Sequence, residues 1–266
     1  MERSKRLGFS LSLPFLIWLF LCLLGPLFFI FATSFASRGL YGDVVWQFTL
    51  DAYRDLVNPV YLKIIGRTLG FASANTIFVL LIAYPFAFYI TRLQGRWRMF
   101  WLLAILVPSW TNFLIRIHAI SDFLRMKPLF LEWMYRPQGI LFTMVYEYLP
   151  LGVLPLYAAL SKIDNSLIEA ARDLGAKSRD ILFKILLPLT KSGVFAAAVF
   201  VFIPSLGEYL IPDLIGGGRY FVLGNFLDSQ FMKTRNWPLG SAFLSVILLV
   251  TFLVVIFSRD EKNEVA

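Results

Sequence analysis

The sequence predicts an all-α membrane protein with six transmembrane helices. Three observations carry that prediction. Of the 266 residues, 58% are hydrophobic, against roughly 45–50% in an ordinary soluble chain. The apolar residues gather into runs near the ~20 residues that cross ~30 Å of hydrocarbon. The basic residues gather in the short segments between those runs.

The runs fall at Leu11–Phe35, Leu69–Ile90, Met99–Ile120, Gly139–Leu160, Ser192–Ile211 and Leu239–Phe257. The first, second and sixth hold no charged residue. The third holds Arg116 and His118, the fourth Glu147 and the fifth Glu208. The basic start at Arg3, Lys5 and Arg6 gives the first run a rival reading as a secretory signal. A signal's apolar core is usually ~7–15 residues. This run extends from Leu11 to Phe31, so a retained helix is expected. The whole chain, 1–266, reads as one transmembrane domain.

Orientation follows from the loops. Arg92, Arg96 and Arg98 crowd the second link. Lys162, Arg172, Lys177, Arg179, Lys184 and Lys191 fill the segment 161–191. The opposite side carries Arg38, Arg54, Lys63, Arg125, Lys127, Arg136, Arg219, Lys233 and Arg235, more sparsely. The positive-inside rule then puts both termini in the cytoplasm.

The net charge of +8 is explained by this topology, and no long Lys/Arg tract points to nucleic acid. No zinc-type spacing and no Ser/His/Asp or Cys/His set occurs, so neither a metal nor a catalytic residue is assigned. The single cysteine, Cys22, lies inside an apolar run. Gly216-Gly217-Gly218 follows a helix, which is the wrong context for a phosphate loop. Gly66-x-x-x-Gly70 matches a helix-packing pattern, though glycine is common in membrane helices.

The segment Leu160–Pro188 is too charged to span. Leu160, Ile163, Leu167, Ala171 and Leu174 recur at helical spacing. Ser166 and Glu169 fit a capping box, and Gly175 stands where a helix ends in a left-handed residue. A second helix is expected from about Arg179 to Leu187, stopped by Pro188. Such a helix pair can dock on a cytoplasmic partner, or pack only on its own bundle.

Glu169-Ala170-Ala171, then Gly175, then Ile185-x-Leu187-Pro188 resembles the EAA loop of ABC importer permeases. Val107-Pro108-Ser109-Trp110-Thr111-Asn112, Glu169 through Ala176, Pro204 through Tyr209, Pro212 through Gly217, Gly224-Asn225 and Asn236 through Ala242 are similar to spermidine/putrescine permeases. The similarity covers roughly Phe48 to Phe257, and permeases for other small solutes share parts of it. The resemblance implies an inner-membrane ABC importer permease whose coupling helix, at Glu169, Ala170, Ala171 and Gly175, docks on an ATP-binding subunit. It implies two such ATPase subunits, a second, non-identical permease and an external substrate-binding protein. ATP and Mg would be held by the ATPase, with no cofactor in this chain.

Charged residues at membrane depth usually face a cavity or a partner. A polyamine path needs carboxylates and aromatic faces, and cation–π contacts contribute about 0.5–2 kcal/mol. Glu147, Glu208, Asp213, Trp110, Tyr148 and Tyr209 supply those groups. Alternatives stand beside this reading. Glu147 can pair with Arg116 inside the bundle, Glu208 and Asp213 can be solvated in the headgroup zone, and the aromatic residues can be packing or interfacial anchors. His118 reads as structural. A secondary transporter with Glu147 as its proton site is the rival class; a membrane enzyme at His118 and Glu147 lacks a nucleophile.

Overall fold

The computed structural model describes residues 2–126 and 128–263. Lys127 therefore lies outside the described residues. The elements run in the order α1 (Glu2–Thr33), β1 (Ser37–Arg38), β2 (Val44–Val45), α2 (Asp51–Asp55), α3 (Pro59–Arg92), α4 (Gly95–Leu106), α5 (Phe113–Met126), α6 (Pro128–Leu131) and α7 (Pro137–Leu160). Next come α8 (Asn165–Asp173), α9 (Ser178–Leu189), α10 (Lys191–Gly207), α11 (Leu210–Leu214), α12 (Leu223–Asp228) and α13 (Trp237–Asn263).

Among the described residues, three helices are alone long and apolar enough to cross a membrane: Leu13–Thr33, Pro59–Arg92 and Pro137–Leu160. They match the first, second and fourth expected spans. The sixth appears as the apolar stretch Trp237–Phe252 of α13.

The third and fifth spans depart from the sequence reading. The third is not one helix. It breaks between α4 and α5 with a bend of 99°. A 3-10 turn at Val107–Trp110 ends α4, because Pro108 has no amide to donate. The Asn112 carboxamide then accepts from the Leu114 N–H at 2.9 Å and starts α5. Trp110 accordingly stands at the break rather than mid-span. The fifth span ends at Gly207, and Glu208 is extended (φ −65°, ψ 124°). Glu208 and Pro204 therefore do not share a helix face.

The chain forms two compact units. Among the described residues, one comprises 2–63 and 226–263, the other 64–126 and 128–225. In the first, α1 packs on α13, and buried Thr33 donates to Ser241 at 2.8 Å. The strands β1 and β2 pair antiparallel, Ser37 opposite Val45. Tyr61, Phe226 and Phe243 form an aromatic cluster.

The second unit holds the main core. Val79, Ala83, Ile117, Ile140, Val153, Leu156 and Val201 are fully buried within it. Its tightest pairing joins α7 to α10. A Cβ on Gly193 would overlap the Ala159 side chain, so glycine there lets the two backbones approach. Gly66 and Gly70, the pair the sequence pattern marked, face open space instead.

Candidate functional site

The segment between α7 and α10 is built by local rules. Asp164 precedes α8 with extended backbone and accepts from the Ser166 N–H at 3.0 Å. The N-cap is therefore Asp164, not Ser166 as the capping-box reading expected. Asp164 has the non-helical backbone of an N-cap, which aims its carboxylate at the amide two residues on. Hydrogen bonding from Ser166 holds the Asp164 carboxyl below the usual aspartate range.

Gly175 has φ +81°. The Ala176 N–H donates to the Ala171 carbonyl at 3.0 Å, and the Gly175 N–H to the Arg172 carbonyl at 2.8 Å. This is the six-to-one and five-to-two bond pair of a glycine-ended helix. A Cβ at Gly175 would meet nothing. Glu169 and Ala170 are exposed and Ala171 is half-buried.

The inward face differs from the expected one. Ile168, not Leu167, is buried, and it packs with Ile181 and Leu186. Leu174 is 89% exposed.

The helix α9 does not stop before Pro188. It contains a π-helical stretch, Ile181–Leu186, and runs on to Leu189. Pro188 follows the π-helical stretch and is the last residue but one of α9. The turn comes at Thr190, where α9 and α10 meet at 74°. Thr190 is fully buried. Its hydroxyl donates to the Leu186 carbonyl at 2.7 Å and lies 3.0 Å from the Tyr84 hydroxyl on α3. The start of α8 is tied to α3 as well, since Arg92 donates to the Asn165 side chain.

The buried polar groups lie elsewhere in the same unit. Glu147 and Tyr148 are adjacent on α7, about 100° apart around the helix. Glu147 faces α5, where the Arg116 guanidinium donates to its Oε1. The Glu147 side chain is 7% exposed and that of Arg116 14%. A second Arg116 nitrogen donates to the Pro108 carbonyl at 2.6 Å. Tyr148 faces the break after α10, and its hydroxyl donates to Glu208 Oε2 at 2.9 Å. Glu208 Oε1 accepts from the N–H groups of Leu210 and Ile211 at 3.0 and 3.2 Å. Glu208 is buried, not solvated.

The remaining expected path residues do not join this cluster. Trp110 is 75% exposed and Tyr209 45%, and Asp213 is also exposed. His118 bonds the Leu114 carbonyl one turn back. The sequence reading missed Asn75, which is fully buried and donates to Ser205 at 2.8 Å. A carboxamide inside the apolar run Leu69–Ile90 was the available signal. Among the described residues, no group of His, Cys, Asp and Glu could hold a metal ion.

Residues 8–261 match the family described as binding-protein-dependent transport system inner membrane component. The chain is 36% identical to the spermidine/putrescine transport system permease protein PotB of Haemophilus influenzae, covering 92% of this chain and 91% of that one. It also resembles a chain of a bacterial ABC transporter that imports the acidic polysaccharide alginate. The TM-score is 0.71 at 18% identity, over 98% of this chain and 97% of that one. A second structure of a bacterial alginate ABC transporter, in complex with an alginate pentasaccharide-bound periplasmic protein, aligns with a TM-score of 0.70 at 14% identity. It covers 99% of this chain and 96% of that one.

Proposed function

Because the chain belongs to the binding-protein-dependent transport system inner membrane components, the multi-pass membrane subunits of ABC importers, we propose that it forms half of a path for spermidine and putrescine. A separate ATP-binding subunit drives it. The observation that carries the coupling role is the construction of α8. It is held at the surface by its Asp164 cap and its Gly175 end. It is followed by α9, which meets α10 at Thr190, and α10 leads to Glu208. Glu169, Ala170, Ala171 and Gly175 form the docking surface in this reading. ATP and Mg stay on two copies of the partner ATPase. A second, non-identical permease completes the path, and membrane lipid surrounds both.

The polyamine cargo rests on the PotB relative and on the chemistry of the interior. Glu147 and Glu208 are buried carboxylates beside tyrosines, the groups a chain of ammonium ions needs. Trp110, Tyr148, Tyr209 and Asp213 extend the path toward its openings. An external substrate-binding protein presents the cargo, and both termini lie in the cytoplasm. All 266 residues serve as one permease domain.

Competition binding to the cognate substrate-binding protein tests the cargo. Spermidine or putrescine is expected to bind and to be taken up by the reconstituted transporter in an ATP-dependent way. Strong binding of a sugar or an anion, with no polyamine binding, would replace the polyamine by another small solute. Uptake by this chain without any ATPase would overturn the coupling role.

A further inference from the structure

The Arg116–Glu147 pair is buried but poorly satisfied. Arg116 Nε and Glu147 Oε2 are buried with no hydrogen-bond partner. Only one guanidinium nitrogen reaches the carboxylate, because the other is held by the Pro108 carbonyl. A bidentate fork would have satisfied both oxygens. Two charges taken out of water need their remaining bonds met before the pair stabilises a fold. As a purely structural clasp this pair is badly made. As an exchangeable one it is well made.

The space around it fits an exchange partner. A cavity of about 270 Å³ adjoins the pair, with Arg116 and Glu147 in its wall. One liquid water takes ~30 Å³, so the cavity has room for a short alkyl arm. Ile105, Leu149 and Pro150 give that arm an apolar wall, Trp101 and Tyr146 offer aromatic rings, and Ser109 offers a hydroxyl. An alkylammonium ion brings three N–H donors on an apolar stem.

We propose that Arg116 is a tethered occupant of an ammonium site on Glu147, and that a terminal primary ammonium of the transported cation takes its place there. The exchange has a mechanical consequence. Arg116 ties the 3-10 turn at Pro108 to Glu147 on α7. That turn ends the arm that meets α5 at the 99° bend. Replacement of the guanidinium keeps Glu147 compensated but unties the bend from α7. Occupancy of the site and the angle of the α4–α5 arm are thereby linked. This inference rests on the polyamine reading of Glu147.

The test uses the complete purified transporter with its ATPase and second permease. Radiolabelled spermidine binding is measured in the absence of the substrate-binding protein, and uptake is measured in its presence. Arg116→Gln removes the competitor, so spermidine is expected to bind about tenfold more tightly than in the unaltered complex. The added Glu147→Gln change is expected to abolish that gain. Unchanged spermidine binding in Arg116→Gln overturns the proposal. Should that variant not assemble, the reversed pair Arg116→Glu with Glu147→Arg decides. A structural clasp works in either direction, so restored uptake overturns the proposal, and assembly without uptake supports it. For a complex in which neither variant assembles, Ser109→Cys in a Cys22→Ser background reports on the cavity. Spermidine is expected to slow its alkylation, and an unchanged rate overturns the proposal. The cargo reading fails differently. Absence of spermidine and putrescine uptake by the unaltered transporter defeats that reading, whatever Arg116 does.

Discussion

The α8–α9 segment and the buried polar cluster are held together in opposite ways. In α8 the decisive bonds join near neighbours: Asp164 to Ser166 at one end, Ala176 to Ala171 at the other. In the interior, Arg116 meets Glu147 across 31 positions, Tyr148 meets Glu208 across 60, and Asn75 meets Ser205 across 130. The first set is exposed and the second is out of water. The difference separates two demands on a coupled membrane protein. A docking element must keep its shape without a bundle behind it. An interior of charges exists only once the bundle has formed, so its integrity reports on the whole fold.

The largest expected effect tests the interior side of that comparison. Glu208→Ala leaves the Tyr148 hydroxyl and the Leu210 and Ile211 N–H groups without acceptors. Each buried donor left unpaired costs about 1–3 kcal/mol. Thermal unfolding in detergent should show a marked loss for Glu208→Ala and a smaller one for Glu208→Gln, which keeps an acceptor. An unaltered midpoint in Glu208→Ala would mean that the interior bonds do not hold the bundle together.

Gly193→Leu comes next. Its side chain has to displace Ala159 where α10 lies against α7, and overpacking of this kind costs about 1–3 kcal/mol. Gly66→Leu adds a side chain where nothing stands near, and its unfolding midpoint should hardly move. Equal behaviour of the two would remove the case for a glycine-enabled contact at Gly193.

Gly175→Trp probes the docking side. The left-handed backbone makes any side chain unfavourable there by about 1–2 kcal/mol, yet the ring meets no neighbour in this chain. The subunit should stay folded while ATP-driven uptake falls by more than tenfold. Normal uptake in the assembled complex would sink the coupling assignment.

The same contrast explains what was legible in the sequence. Gly175 as a helix terminator was readable, because a left-handed end is a local property. The first, second, fourth and sixth runs were readable from length and hydropathy. The bend after Pro108 was not. Proline and Asn112 signal a weak point, but whether the chain continues or turns by 99° depends on what its ends pack against. The Arg116–Glu147 pair stood only as one alternative, since spacing cannot say which of two embedded charges meet. Asn75 was overlooked because one carboxamide hardly lowers the hydropathy of a long run. The cap fell on Asp164 rather than Ser166 because two acceptors within three residues compete, and φ/ψ decides between them.

The smallest effect concerns that cap, and its sign is fixed by ionisation. The Asp164 carboxyl is held below its ordinary pKa by the bond from Ser166. An unfolded aspartate titrates near ~3.9. A carboxylate with a lowered folded pKa contributes its stabilisation above the unfolded value and loses it as pH falls through the folded value. Protection of the Ser166 and Leu167 amides against hydrogen exchange, corrected for intrinsic rates, should therefore be flat from neutral pH to about 5. It should then decline only in the acid range. Asp164→Asn keeps an acceptor at the same reach, so it should retain most of the protection and lose the acid decline. Asp164→Ala should lower protection at every pH, while the Arg116–Glu147 pair and the unfolding midpoint stay as they were. If Asp164→Ala instead loosened α10 beyond Thr190, the end of α8 would be part of the buried framework, and the division between a self-sufficient docking element and a bundle-dependent interior would have to be redrawn at Thr190.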